Sequence, residues 1–428
     1  MLWEHTETTE KSPDTGREFT APSRDLWFSS GKKVFAAEKF LLGKTMESLG
    51  NPPLRISLWD GLEISPAGMT AAIRVRILDR GALLKLIANP EYWLGEMYTS
   101  ERIDVEGNLV DFLETIYRSL SHVDYGKEKQ SLLSTFDNVQ SNTIPVSVRN
   151  VHHHYDIGND FYKLWLDRRM LYTCAYFPDR TLSLEDAQIA KMDHICRKLR
   201  LQPGESVVEA GCGWGALALH MAKHHGVKVK AFNISKEQLA FARDATRQEG
   251  LESMVQFIED DYRNISGKFD AFVSVGMLEH VGTGHYGEFG EVMARSLKDD
   301  GRGLVHCIGR DSPRPMNPWI ERHIFPGACP PSLSQMMEIF EPFGFSVLDA
   351  ENLRLHYART LEHWLQRFED NNKRVLEMFD PAFVRTWRLY LSGSLAAFRS
   401  GDMQLFQVLF ARSGANNVPW TRDYQYAH

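Results

Sequence analysis

The chain has 428 residues, of which 43% are apolar and 25% charged, a balance that fits an ordered globular protein and excludes a disordered or membrane-spanning one. Its formal charge of -7, with no long Lys/Arg run, argues against a phosphate-binding surface, so no nucleic-acid partner is expected. Five scattered cysteines, odd in number and without paired CxxC spacing, suggest neither a disulfide framework nor a zinc site, and point to a reducing cytoplasm.

The length implies one large domain and a smaller one. Residues 1–20 are acidic and polar, so they read as a disordered tail and not as a signal peptide, and no run approaches the ~20 apolar residues of a spanning helix. Any membrane contact is then peripheral. Residues 21–125 read as a small α+β accessory unit. Apolar residues recur at helical spacing over 34–49, alternate with polar ones over 54–59 and 71–77, and return to a mostly helical pattern over 79–119, broken at Asn89-Pro90. The polar stretch that follows predicts a linker over 126–149.

From residue 150 to 428 strands and helices alternate. Apolar runs at 206–210, 227–232, 255–258, 269–275 and 303–308 are separated by helical segments, the pattern of a parallel sheet covered on both faces. The expected class is α/β, a doubly wound, Rossmann-like sheet behind the smaller N-terminal unit. Toward the C-terminus Trp364, Phe368, Phe379, Phe383, Trp387, Tyr390, Phe398 and Phe406 predict a helical core, part of which, with residues 320–325, could line an apolar cavity.

The first of these strands runs into Val207-Val-Glu-Ala-Gly211-Cys-Gly213-Trp-Gly215, so the glycines fall at a strand-to-helix turn where a ligand can approach the backbone. A tight βα turn alone would also explain them. The spacing is GxGxG with Trp214 inserted, which disfavours the GxGxxG dinucleotide site. Asn233 and Gln238 follow the second strand and Asp260-Asp-Tyr262 the third, where ribose and adenine are gripped. Together they suggest S-adenosylmethionine.

Longer motifs carry a family likeness. His153-His-Tyr-Asp-Ile-Gly-Asn-Asp160, Tyr172-Thr-Cys-Ala-Tyr-Phe177, Val208-Glu-Ala-Gly-Cys-Gly-Trp-Gly215, Ser274-Val-Gly-Met-Leu-Glu-His-Val-Gly282 and His306-Cys-Ile308 resemble the successive signatures of the cyclopropane-fatty-acid synthases. The resemblance covers residues 150–412. It implies methyl transfer from S-adenosylmethionine to the cis double bond of an acyl chain in membrane phospholipid, with bicarbonate as base. Matched position by position, it implies Cys174, Glu279, His306, Ile308 and Tyr357 around the bicarbonate. By the same matching Tyr172, Thr173, Gly211, Gly213, Ile234, Gln238 and Tyr262 hold the cofactor, with Tyr262 standing where some relatives have tryptophan.

Taken singly, Cys174 reads as a small buried hydrophobe, Glu279 as a helix-start carboxylate and Tyr357 as an interfacial aromatic; only the matching set favours chemistry. His152, His153 and His154 are adjacent, rarely converge on one centre and have no completing ligands, so no metal is expected. The implied partner is an unsaturated phospholipid at the inner face of the membrane, reached peripherally from the cytoplasm, and a homodimer is left open. Three rivals remain: acyl methylation that leaves a methyl or methylene branch, N-methylation of a small amine, and a non-catalytic lipid-binding protein that keeps the fold.

Overall fold

The computed structural model describes residues 33–66, 73–120 and 157–426. The expected tail and linker lie outside them, as do His152, His153 and His154. In the N-terminal unit α1 (Ala36–Ser48) leads to β1 (Leu54–Leu58), β2 (Glu63–Ile64) and β3 (Ile73–Ile77), then α2 (Arg80–Ala88), α3 (Pro90–Thr99), β4 (Ile103–Glu106) and α4 (Leu109–Leu120). The strands form a sheet of order β2-β1-β3-β4, with β1 and β3 parallel and the outer pairs antiparallel. Asn89 ends α2 because Pro90 follows it, and its Oδ1 accepts the Tyr92 N–H at 3.1 Å, so it also caps α3. Strand β4 interrupts the stretch whose pattern predicts helix. Its alternation of Ile103 and Val105 with Asp104 and Glu106 lasts four residues, too few to stand out against helical flanks.

The second unit opens with α5 (Asn159–Tyr162) and α6 (Leu184–Leu199), followed by β5 (Ser206–Ala210), α7 (Ala216–His225), β6 (Lys228–Asn233), α8 (Lys236–Glu249), β7 (Val255–Glu259) and β8 (Phe269–Val275). It continues through α9 (Tyr286–Ser296), β9 (Leu297–Arg310), α10 (Pro318–His323), α11 (Leu333–Met337) and β10 (Phe345–Asn352). It closes with α12 (Arg354–Asp370), α13 (Asn372–Met378), α14 (Pro381–Ser400) and β11 (Met403–Arg412). The sheet order is β10-β11-β9-β8-β5-β6-β7. Strands β5 to β9 are the five apolar runs and are mutually parallel, while β11 is antiparallel to both neighbours. Phe406 therefore lies on a strand, where the aromatic pattern predicts helix. Strand β11 is buried on both faces, so it lacks the period-two signature that would reveal it.

Helices α10 and α14 pack on α3 and α4 and join the units. Trp319 lies flat on Gly95: a Cβ there would come 2.5 Å from the indole ring. His323 Nε2 meets Glu96 Oε1 at 2.6 Å, and Arg385 donates to the carbonyls of Tyr98 (2.7 Å) and Ile103 (3.2 Å) while stacking 4.1 Å over the Tyr98 ring. One apolar cluster runs from Leu83 and Phe112 to Trp364 and Trp387 across the boundary. Removing the N-terminal unit would thus strip the cover from α14. Replacing Gly95 by Val is expected to cost about 1–3 kcal/mol in denaturant unfolding, because Trp319 must move. Gly43→Ala, inside α1 with nothing within 4 Å of its Cβ, serves as the clash-free control and should leave stability equal or higher. An unchanged midpoint for Gly95→Val would refute this packing.

Candidate active site

The β5–α7 turn sets the first wall of a cleft at the C-terminal ends of the parallel strands. Gly211, Gly213 and Gly215 have φ of +82°, +53° and +84°, which favours glycine at each. Their surroundings differ. A Cβ on Gly215 would meet Phe257 at 2.5 Å and Ala242 at 2.8 Å, and one on Gly211 would meet Met277 at 3.0 Å, whereas one on Gly213 meets nothing within 4 Å. Gly213 therefore faces open space. Asn233, at the end of β6, donates from Nδ2 to the Gly213 carbonyl (3.1 Å) and to Gln238 Oε1 (2.8 Å), tying the glycine turn to the first turn of α8. Tyr172 and Thr173 supply the opposite wall and Tyr262 the end beyond β7. All seven residues assigned to the cofactor line this one cleft.

Residues that the motifs do not single out line it too. Lys191, on α6, is fully buried and donates to Thr173 Oγ1 at 2.7 Å. Glu209, on β5, is also buried, and its Oε2 has no hydrogen-bond partner among the described residues. His280 faces the Phe325 ring at 5.8 Å, and burial pulls its pKa down to about 4, so it is neutral. Lys191 escapes a sequence reading because a lysine on an amphipathic helix signals solvent. Glu209, a charge inside an apolar strand run, was the available clue.

The five residues assigned to the bicarbonate lie outside the lining of that cleft, directly behind it. Val275 pairs with His306 across β8 and β9, and the Gly276 N–H donates to the His306 carbonyl at 2.8 Å. One turn on, Glu279 Oε1 accepts the Ile308 N–H at 3.2 Å. Gln407 on β11 lies 3.2 Å from His306 Nδ1 through its Nε2, an amide donor that leaves the ring proton on Nε2. Cys174 Sγ donates to the Ala175 carbonyl at 3.1 Å and lies 4.0 Å from the Leu353 carbonyl, which accepts the Tyr357 N–H at 3.1 Å. Leu353 in turn donates to the carbonyl of Leu405, the β11 residue that pairs with Ile308. Two clusters, Glu279–His306–Ile308 and Cys174–Tyr357, are thus joined through β11. Glu279 Oε2 and His306 Nε2 are buried with no hydrogen-bond partner among the described residues. Burial pushes the Glu279 carboxyl up to about 7, pulls the His306 imidazole down to about 3 and raises the Cys174 thiol.

Aromatic rings flank both sites. Tyr172 lies 5.6 Å from Tyr162, 5.2 Å from Trp165 and 5.3 Å from Trp364, and its hydroxyl meets that of Tyr390 at 2.7 Å. Tyr357 is 4.6 Å from Phe398. Phe325 lines the cleft and touches Tyr390, ring to ring, at 5.5 Å. Away from the cleft, Cys196, His220 and His225 bring possible metal-ligand atoms within 4.8 Å of one another. Burial keeps that thiol protonated, and Asp193 holds His220 Nε2 at 2.7 Å.

A family model described as mycolic acid cyclopropane synthetase matches residues 143–408. The chain belongs to the mycolic acid cyclopropane synthetase family. A second model, described as a domain of unknown function, matches residues 41–126. The probable fatty acid methyltransferase of Pseudomonas putida is 33% identical over 385 residues, 87% of this chain and 96% of that protein. The cyclopropane-fatty-acyl-phospholipid synthase of Escherichia coli K12 is 41% identical over 266 residues, 62% of this chain and 68% of its own. Mycolic acid cyclopropane synthase CmaA1, solved with S-adenosylhomocysteine and CTAB, superposes with a TM-score of 0.59 at 30% identity, covering 62% of this chain and 98% of that one. This member of the cyclopropane synthetase family is an S-adenosylmethionine-dependent methyltransferase. Its Gly213→Val variant is expected to bind S-adenosylhomocysteine at least about tenfold more weakly, since the new side chain faces the cleft, with the stability cost limited to the backbone strain that φ of +53° imposes on a β-branched residue. Gly215→Val should instead lower stability itself. Equal affinity of Gly213→Val and the parent in calorimetry would remove the glycine turn from the cofactor site.

Proposed function

We propose that the chain methylates the cis double bond of an unsaturated acyl chain in membrane phospholipid and closes a cyclopropane ring, with bicarbonate as the base. One observation carries the reading: two buried polar atoms without a hydrogen-bond partner among the described residues, Glu279 Oε2 and His306 Nε2, lie on segments that the pairing of β8 with β9 brings together behind the cofactor cleft. A buried polar atom without a partner is costly unless a ligand satisfies it. A small oxyanion fits this pair. His306 Nε2–H donates, and Glu279, with its pKa near 7, can carry a proton to donate as well.

When bound, S-adenosylmethionine supplies a methyl that an alkene carbon takes as its S–C bond breaks, and bicarbonate supplies the oxygen that receives a proton from that methyl carbon as the second C–C bond closes. The chain's residues orient and shield these partners. Thr173 and Cys174 are consecutive, so one segment faces both the cofactor and the anion. The Ile308 N–H holds Glu279 Oε1 in place, and the neutral His306 meets the anion without carrying a charge of its own. Tyr172, Tyr357 and Trp364 exclude water and turn aromatic faces toward a developing positive charge. Phe325 and Tyr390 offer the acyl chain an apolar path into the cleft.

The reading includes peripheral contact with a phospholipid surface from the cytoplasmic side. It is supported by exposed Phe35, Phe40 and Leu41 beside exposed Lys33, Lys39 and Lys44 around α1. Among the described residues no helix is long and apolar enough to cross a membrane. A second reading keeps the same carbocation but loses the proton from another carbon, leaving a branch; it is favoured by the name of the Pseudomonas putida relative, which covers most of the chain.

Glu279→Ala is expected to lower turnover on unsaturated phospholipid vesicles at least about tenfold with S-adenosylhomocysteine affinity unchanged, and a loss below about threefold would contradict the role. Depleting carbon dioxide should slow the parent enzyme and added bicarbonate restore it. The pH dependence has a definite sign. Below about pH 7 Glu279 is protonated and the site is neutral; above it a carboxylate appears and repels an anion. The bicarbonate concentration for half-maximal turnover should therefore rise with pH through 7 in the parent, and a flat dependence would remove Glu279 from the anion site.

A further inference from the structure

S-Adenosylmethionine carries a sulfonium and, at its amino-acid end, an ammonium and a carboxylate. The cleft is mostly acidic: Glu209, Asp260 and Asp261 line it. Asp260 and Asp261 follow β7, two strands away from β5 in the sheet, at the end away from the glycine turn. Glu209 precedes that turn by two residues. Burial pushes the Glu209 carboxyl up to about 8, so near neutral pH it offers a cofactor carboxylate no positive partner, and a carboxylate left unpaired in a dry site is costly. Among the described lining residues Lys191 is the sole Lys or Arg side chain.

Lys191 has a second peculiarity. Its ammonium is fully buried, with three N–H donors, and among the described hydrogen bonds its one acceptor is Thr173 Oγ1 at 2.7 Å. Thr173 is itself pinned: Gln188 Nε2 donates to its carbonyl at 2.9 Å, and a Cβ on Gly276 would strike its Cγ2 at 2.9 Å. A buried lysine this short of acceptors is expensive for the fold alone. We infer that Lys191 binds the carboxylate at the amino-acid end of the cofactor, with Thr173 steering its ammonium and Glu209 left to face the cofactor's own ammonium. The inference rests on S-adenosylmethionine being the ligand of this cleft. It adds a specificity element: the enzyme would select nucleosides that keep the amino-acid carboxylate.

The groups facing Lys191 are Asp167, Cys174 and Glu209, and burial lowers its pKa to about 8. Its charge is therefore present at neutral pH and is lost as pH rises past that value, while the Glu209 carboxyl, pushed up to about 8 by burial, ionises over the same range and weakens a bound carboxylate in the same direction. The test compares calorimetric affinities of S-adenosylhomocysteine and its decarboxylated analogue, which keeps the amine. For Lys191→Met the expected loss is roughly ten- to hundredfold for S-adenosylhomocysteine and below about threefold for the analogue. No loss, or an equal loss for both ligands, overturns the assignment. The unmodified protein supplies a second measurement that does not depend on the variant's folding. Its preference for S-adenosylhomocysteine over the analogue should be at least about tenfold near pH 7 and shrink by about pH 9.5, and no preference, or a constant one, overturns the inference. Failure of the unmodified protein to bind either nucleoside would overturn the cofactor reading and this inference with it.

Discussion

The hydrogen bond from the Gly276 N–H to the His306 carbonyl, 2.8 Å long, holds together the two halves of this site. It continues the parallel pairing of β8 with β9 one residue past Val275, where the chain leaves the sheet to wall the cofactor cleft. Because parallel register is fixed, Met277 on the cleft side, and Glu279, His306 and Ile308 behind it, keep constant offsets. Gly276 has φ of +73° and no Cβ, so Thr173 can press against it. A shift of this one contact would separate the cleft from the pocket behind it.

The two halves differ in electrostatic character, and chemistry demands that they do. The cleft holds ionisable groups, Lys191 near Glu209 and two aspartates, suited to a ligand that is itself a polyion. The pocket behind it is nearly neutral, with His306 uncharged, Cys174 a thiol and Glu279 poised near neutrality. An alkene is a weak nucleophile and the cation it forms is reactive toward water. Rate must then come from alignment and from dry, preorganised surroundings, not from a strong protein base. In the proposed reaction the aromatic belt of Tyr172, Tyr357, Trp364 and Phe398 would serve that end, and the N-terminal unit covers α14, where Arg385 donates to the Tyr98 carbonyl.

Much of this was legible in the sequence. The five parallel strands announce themselves as short apolar runs, and the GxGxG turn and the residues after β6 and β7 fall where an open α/β sheet gathers its ligands. The set around Glu279 and His306 was legible only through the family motifs, because parallel pairing, invisible locally, sets Val275 beside His306 and so brings the turn that carries Glu279 next to β9. Strands β4 and β11 stayed hidden for opposite reasons, one too short and one buried on both faces. Lys191 was hidden because helical periodicity reports which face is apolar, and a lysine reaching through that face to a ligand looks like a solvated one.

The central claim is that the pocket behind the cofactor receives the proton as a ring closes. Its most direct test is the product formed by the purified enzyme from S-adenosylmethionine and vesicles of one cis-unsaturated phospholipid, identified by mass spectrometry and proton NMR of the released acyl chains. The account predicts a gain of one CH2 unit with the high-field methylene signals of a cis-cyclopropane and loss of the olefinic protons. The same gain in mass with olefinic or exocyclic methylene protons and no ring signals would contradict it.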